Sequence, residues 1–332
     1  MMNRLRQTRI WLPVLLTLLL VAMFCALWVG TLSLSLAELL RVLSGDAASA
    51  THQAVVIKLR LPRALLAALV GAALGASGGA FQAVLRNPLA DPYLLGVSGG
   101  AALGAVAVIA LGGGSPLTLP LAAFAGALGA LVLVYWAARA HRGSPHTLIL
   151  AGVMVGSLAS ALLLFLLWLT PSDPLRTAIF WLAGNLALAD PGWLVWLAVW
   201  SAAAFLLLWS QSRVLDLFTQ GEDAAADLGL DIGRGRMTIL AAAGALTAGA
   251  VAQAGLVGFV GLTVPHVVRL LLGPAHQRLL PAAALVGAIF LVAADTLSRT
   301  LFAPAEIPVG VVTALIGAPF FLFLLRRQEG GR

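Results

Sequence analysis

The sequence predicts an all-α membrane protein with about ten transmembrane helices, on three observations. Hydrophobic residues make up 61% of the chain and charged ones only 10%, and the mean hydropathy is +1.01, far more apolar than an ordinary soluble domain. Apolar runs of bilayer-spanning length alternate with short polar connections. Within those runs glycines recur every fourth residue, as in Gly71, Gly75 and Gly79 and again in Gly96, Gly100 and Gly104. That spacing sets small residues on one helix face, where another backbone approaches closely. A 34.2 kDa chain of this composition cannot turn its surface to water and must use lipid as solvent. The net charge of +7 raises nucleic acid as a partner. In a membrane protein the same excess reflects arginines on cytoplasmic loops, so no nucleic-acid partner is expected. The single Cys25 lies in an apolar run, which excludes a disulfide framework.

Taken in order, Arg4, Arg6 and Arg9 precede an apolar run from Ile10 to Gly30. The run is long for a signal peptide and lacks a small-x-small cleavage site, so it is expected to be the first span. The others are expected near 62–83, 93–112, 117–138, 147–169, 192–210, 237–254, 258–273, 281–298 and 308–325, all in one transmembrane domain covering 1–332. The second and third flank the turn Arg86-Asn87-Pro88-Leu89-Ala90-Asp91-Pro92. Its two prolines restrict the residues before them, and Asp91 is placed to cap the following helix. A hairpin of two tightly packed helices is the expectation. The eighth segment, with Gly255, Gly258, Gly261 and Pro265, suits a short or re-entrant helix.

Arginine distribution orients the chain. With both termini cytoplasmic, the inside segments carry Arg4, Arg6, Arg9, Arg86, Arg139, Arg142, Arg213, Arg234, Arg236, Arg269, Arg278, Arg326, Arg327 and Arg332. The outside carries Arg41, Lys58, Arg60, Arg63, Arg176 and Arg299, and this bias follows the positive-inside rule. No extramembrane segment is long enough for a nucleotide-binding domain. No phosphate-loop pattern occurs, Lys58 being the only lysine. His52, His141, His146, His266 and His276 are too scattered to form a metal-ligand pattern. Any work done with ATP falls to another chain, and no cofactor is expected here.

Four features carry candidate chemistry. Of the 13 acidic residues, Asp295 alone lies inside an apolar span, where it reads as a proton carrier or as a packing carboxylate bonded to a nearby Ser, Thr or backbone group. The polar segment Val214–Arg236 contains Gln220 to Leu230, read as two short helical turns bounded by Gly221 and Gly229. There Glu222, Asp223 and Asp227 face outward and Leu228 and Leu230 form an apolar edge, a solvated loop or a docking surface. Arg60, Arg63 and Arg299 stand on the arginine-poor side as interfacial anchors or as partners for carboxylates of another protein. The turn 86–92 by itself reads as a well-made hairpin.

Together, Arg60-Leu-Pro-Arg63, the run from Gly78 to Gly100, Gly258 through His266 to Arg269, Leu279-Leu-Pro281, Ala294-Asp295, Glu306-Ile-Pro-Val-Gly310 and Gly317-Ala-Pro319 resemble the FecCD-type permeases. These are the membrane subunits of type II ABC importers for iron-siderophores, haem and cobalamin. The resemblance runs from about Arg60 to Leu325 and implies a homodimer in the bacterial inner membrane with its path on the two-fold axis. Two cytoplasmic ATP-binding cassette subunits, which would hold the ATP and magnesium, and a periplasmic substrate-binding protein are the implied partners, and the chain itself is no enzyme. The resemblance assigns Arg60, Arg63 and Arg299 to binding-protein docking. It assigns 214–232, including Gly221, Glu222, Asp223, Ala226, Leu228 and Gly229, to ATPase coupling, and Asn87 and Leu89 to a cytoplasmic gate. The fifth span, opened by Pro145-His146-Thr147, and the tenth would line the path. An iron complex, haem or ferric siderophore, is the expected cargo, with cobalamin as the alternative. An ion-coupled secondary transporter and a membrane-embedded enzyme are the readings from other classes.

Overall fold

The structure is a computed structural model that describes residues 2–46, 49–112, 114–139, 144–187 and 189–329. His141, Arg142 and Arg332 lie outside the described residues. Among those residues the chain is helical and without strands, as the composition predicts. Among the described residues seven helices are long and apolar enough to cross a bilayer, and Val97–Ala110, Val260–Leu272 and Val309–Phe323 form shorter apolar stretches.

The first helix, α1 (Met2–Trp28), is followed by a short amphipathic helix, α2 (Leu36–Ser44), that no apolar run announces. A single turn, α3 (Ala50–Gln53), leads into a π-helical segment, Ala54–Arg60, and on into α4 (Leu61–Val84). The second helix thus begins well before the expected 62. Pro62 accounts for the π register. It has no N–H to donate and its ring crowds the carbonyl four residues back, so the ladder widens and Leu61 N–H reaches the Val56 carbonyl instead.

The turn after α4 departs from the expected hairpin. Asp91 accepts from Tyr93 N–H and caps a single 3-10 turn, Pro92–Leu95, rather than the next helix. Gly96, at φ 73°, then resets the chain into α5 (Val97–Ala110). Nor do the two glycine faces meet each other. A methyl on Gly71 would overlap the Gly287 carbonyl and one on Gly75 the Ala283 carbonyl, so α4 packs on α14 (His276–Ser298). Gly100 and Gly104 lie against Gly126 and Ala122 of α6 (Thr118–Ala138).

Next come α7 (Pro145–Leu169), with Ser144 accepting from Thr147 N–H, then α8 (Ser172–Leu182), which was not expected, and α9 (Pro191–Ser210). The polar segment holds α10 (Ser212–Gln220) and α11 (Glu222–Asp227), and α12 (Ile232–Ala254) returns to the apolar body. Gly255 and Phe259, at φ 69° and 68°, break the chain before α13 (Val260–Leu272). At 13 residues and about 1.5 Å per residue, α13 reaches about 20 Å, short of the ~30 Å hydrocarbon core. The last helix is α15 (Val309–Glu329).

Burial ranks these helices. The window in Ala50–Val84 is 78% buried and that in Ile232–Ala254 72%, against 11% for Ile10–Trp28. The centre is therefore built from α4, α12 and α14 around small side chains such as Ala67, Ala76, Ala243 and Ala283. The stretch Ile10–Trp28 turns most of its surface outward.

Candidate functional site

Polar side chains concentrate at the two ends of this central set. At one end the C-terminus of α1 leaves carbonyls without helical donors. Arg60 fills that gap: its Nη1 donates to the Leu27 and Trp28 carbonyls, both at 2.8 Å, and its Nη2 to the Leu32 carbonyl at 2.6 Å. Arg299 adds a bond from Nη2 to the Ala26 carbonyl. Both guanidinium groups are buried. They neutralise the negative end of a helix, so two of the three arginines expected at the docking face are buried within the chain itself.

Arg63 behaves differently. Its Nε donates to both oxygens of Asp295, at 2.9 and 3.1 Å, and its Nη1 to Glu306 Oε2 at 2.8 Å. Arg299 Nε also lies 3.7 Å from Asp295. Asp295 is thus a packing carboxylate, but its partners are arginines on two helices rather than the expected Ser, Thr or backbone group. Two guanidinium groups, Arg63 and Arg299, thus face two carboxylates, Asp295 and Glu306, in one cluster. Glu306, with a side chain 45% exposed, is its outward member. Beside it a cavity of about 190 Å³ is walled by Arg63, Phe180, Asn185, Leu186 and Pro308.

Three non-helical stretches meet under this cluster. Asn185 N–H donates to the Ala254 carbonyl at 2.8 Å and Val309 N–H to the Gly184 carbonyl at 3.2 Å. The Tyr93 hydroxyl accepts from Val257 N–H at 2.7 Å and donates to the Val257 carbonyl at 2.9 Å. Backbone freed by the chain breaks is thereby satisfied inside an apolar body, as non-helical backbone at depth requires.

The other end is organised by α10 and α11. Gly221, at φ 120° and ψ 152°, joins them in a conformation that other residues rarely adopt, and Gly229, at φ 83°, ends the segment. The two short helical turns expected there form one six-residue helix, α11, between Gly221 and Gly229. Glu222 does not face outward: its Oε1 lies 2.5 Å from Nη2 of the fully buried Arg236, whose guanidinium also stands 5.7 Å from the Phe218 ring. Asp223, Ala226, Asp227, Leu228 and Gly229 are exposed, Leu228 at 68%. Asp216 on α10 accepts from both His276 N–H, at 2.9 Å, and His276 Nδ1, at 2.7 Å, and so joins α10 to the first turn of α14. Burial raises the Asp216 carboxyl, but the hydrogen bonds from His276 outweigh it and hold the group below the usual carboxylate range. In the sequence Arg236 is a loop arginine and His276 a scattered histidine, and nothing local signals that both are buried.

In the turn between α4 and α5, Asn87 Oδ1 accepts from Leu89 N–H at 2.9 Å, and Leu89 is exposed. Burial pushes the Asp91 carboxyl up to about 6, against the lowering effect of the Tyr93 N–H. Among the described residues no group of three or more His, Cys, Asp or Glu side chains is placed to hold a metal ion.

The profile of the FecCD transport family matches residues 18–327. The chain is 45% identical over 285 residues to the cobalamin import system permease protein BtuC of Halobacterium salinarum, covering 84% of this chain and 75% of that one. It is 38% identical over 340 positions to the hemin transport system permease protein HmuU of Yersinia pestis, covering 100% and 99% of the two chains. A solved inward-facing structure of a metal-chelate type ABC transporter superposes with a TM-score of 0.84 at 35% identity, over 95% of this chain and 98% of the other.

Proposed function

Because this chain belongs to the FecCD transport family, we propose that it is the membrane-spanning permease subunit of an ATP-driven importer. The observation that carries this reading is a family match running through nearly the whole chain, 18–327. A homodimer in the cytoplasmic membrane, both termini inside, would enclose the path between copies of α7 and α15, both of which carry exposed apolar side chains such as Leu158 and Leu315. ATP would be bound and hydrolysed by separate cassette subunits, and a soluble binding protein would deliver the cargo.

Geometry refines the roles of the residues. The exposed acidic and apolar edge of α11, Asp223, Ala226, Leu228 and Gly229, suits an ATPase surface, while Glu222 and Arg236 hold that edge on α12. Gly221 lets α10 and α11 meet at their angle. Docking of the binding protein centres on the Arg63–Glu306 rim, with Arg60 and Arg299 shaping it from beneath. The exposed Leu89, positioned by Asn87, serves as the cytoplasmic gate. No resident cofactor is required in this chain. An iron complex, haem or ferric siderophore, is the favoured cargo; cobalamin is the second reading, supported by the 45% identity to a cobalamin permease.

Proteoliposomes containing this chain, its cassette subunit and the cognate binding protein should accumulate cargo only with ATP inside the cytoplasmic compartment. Uphill uptake by the chain alone on a proton or sodium gradient would overturn the reading in favour of a secondary transporter. Titrating the binding protein with haem, a ferric siderophore and cobalamin separates the cargo readings.

A further inference from the structure

We propose that α2 is an in-plane membrane anchor whose outer leucine stripe, Leu36, Leu40 and Leu43, is buried in the lipid leaflet at the Trp28 end of α1. At about 100° per residue these three side chains share an arc of about 60°, and they are 46%, 51% and 45% exposed. Leu39 and Val42, on the adjoining arc, are already buried against Leu27, Leu34 and Val56. The opposite face carries Glu38, Arg41 and Ser44. One side of the apolar surface is thus taken up by the protein and the other has no protein cover, while the polar face is complete in itself. Glu38 closes a capping box on Ser35 through a 2.7 Å bond and lies 3.7 Å from His52 of α3.

The level of α2 argues for lipid as the occupant. The apolar part of α1, Ile10–Trp28, has 19 residues, about 28 Å of helix against a hydrocarbon core of ~30 Å. Trp28 therefore stands at an interface, where its amphipathic ring is at home. Its Nε1–H donates to the Leu34 carbonyl at 2.9 Å, which holds the start of α2 at that depth. The exposed apolar surface of α1 continues through Trp28, Val29 and Leu32 into the stripe, and Ile10–Trp28 is the least covered of the seven candidate spans. A helix with a polar face, an apolar face and an interfacial level lies in the plane of the membrane. This inference rests only on the chain being membrane-embedded, not on its coupling to ATP.

The test uses the full-length protein with Cys25→Ser, since Cys25 is the single cysteine. A nitroxide is attached at Leu40→Cys or Arg41→Cys, and the protein is placed in nanodiscs of phosphatidylethanolamine and phosphatidylglycerol without partner proteins. The Leu40 label should collide preferentially with oxygen and the Arg41 label with an aqueous nickel chelate, an accessibility ratio differing about tenfold or more between them on the steep polarity gradient of an interface. Equal nickel accessibility at both sites would overturn the proposal. So would a Leu40 label shielded from both reagents in the nanodisc, which would place the stripe against another copy of the chain. Shielding from nickel that appears only on adding the soluble binding protein would make it a protein-docking surface and also refute lipid burial. Should Leu40→Cys fail to assemble, Leu36→Cys and Leu43→Cys report on the same stripe. Failure of ATP-dependent uptake would leave these readouts untouched, so the two readings are separable.

Discussion

Arg60 shows what a single side chain does when it replaces a missing turn of helix. Two carbonyls at the end of α1 and that of Leu32 just beyond it depend on it, and a methyl on Gly30 would overlap its guanidinium. Arg60→Ala should lower stability by about 2–4 kcal/mol, since buried carbonyls lose a charged donor, with Arg60→Lys intermediate because a point charge cannot span the set. Unfolding in detergent checks this; an unchanged midpoint would return Arg60 to a surface role. Asp91 gives a pH-dependent counterpart. Its pKa of about 6 lies above the ~3.9 of an unfolded aspartate. The neutral carboxyl therefore favours the fold at low pH, and that contribution is lost as pH rises from about 4 to about 6. Asp91→Asn keeps an oxygen for the Tyr93 N–H but cannot ionise. It should raise the melting temperature more at pH 7.5 than at pH 5, and a gain independent of pH would contradict the assignment.

Among the elements, α4 is the one most constrained by its neighbours. Gly71, Gly75 and Gly78 each meet backbone of another helix, on α14 or α13. Gly71→Ala should cost about 1–3 kcal/mol through overpacking. Gly129→Ala on the outer face of α6, where nothing lies within 4 Å, should be neutral or gain up to about 1 kcal/mol from helix propensity. Equal effects of the two, measured by unfolding in detergent, would remove close approach as the role of Gly71. The same logic ties α10 to α14: Asp216→Ala strips both the N–H and the ring of buried His276 of their acceptor. A loss of about 1–3 kcal/mol is expected in the same measurement.

At the scale of the whole molecule, two polar ends are joined by a dense, small-residue centre, so displacement at one end is transmitted by helices rather than by soft loops. This predicts a division of effects on the face of α11. Asp223→Arg combined with Leu228→Glu alters only exposed groups and should reduce transport-coupled ATP hydrolysis at least about tenfold with an unchanged unfolding midpoint. Glu222→Arg sets a second positive charge against buried Arg236 and should destabilise the subunit itself. Full coupling in the first variant would remove α11 from the ATPase interface.

The sequence by itself determined the solvent, the helical class and the positions of most apolar helices. Each of these follows from local composition: Pro191–Ser210 and Thr118–Ala138 are continuous runs that only a bilayer can accommodate. It also located the breaks near Pro92, Gly221 and Gly255, where proline or glycine stands between apolar runs, but not the reset at Gly96, which reads as part of a helix face. Only the tertiary structure decided partners. Gly71 reads the same whether it faces α5 or α14, Glu222 the same whether it meets water or Arg236, and Arg60 the same as a docking group or as the cap of α1. In each case the deciding neighbour lies on another segment, from Gly30 beside Arg60 to Gly287 against Gly71. Helix propensity and hydropathy are properties of a stretch of chain, whereas packing and charge pairing belong to stretches that only folding brings together.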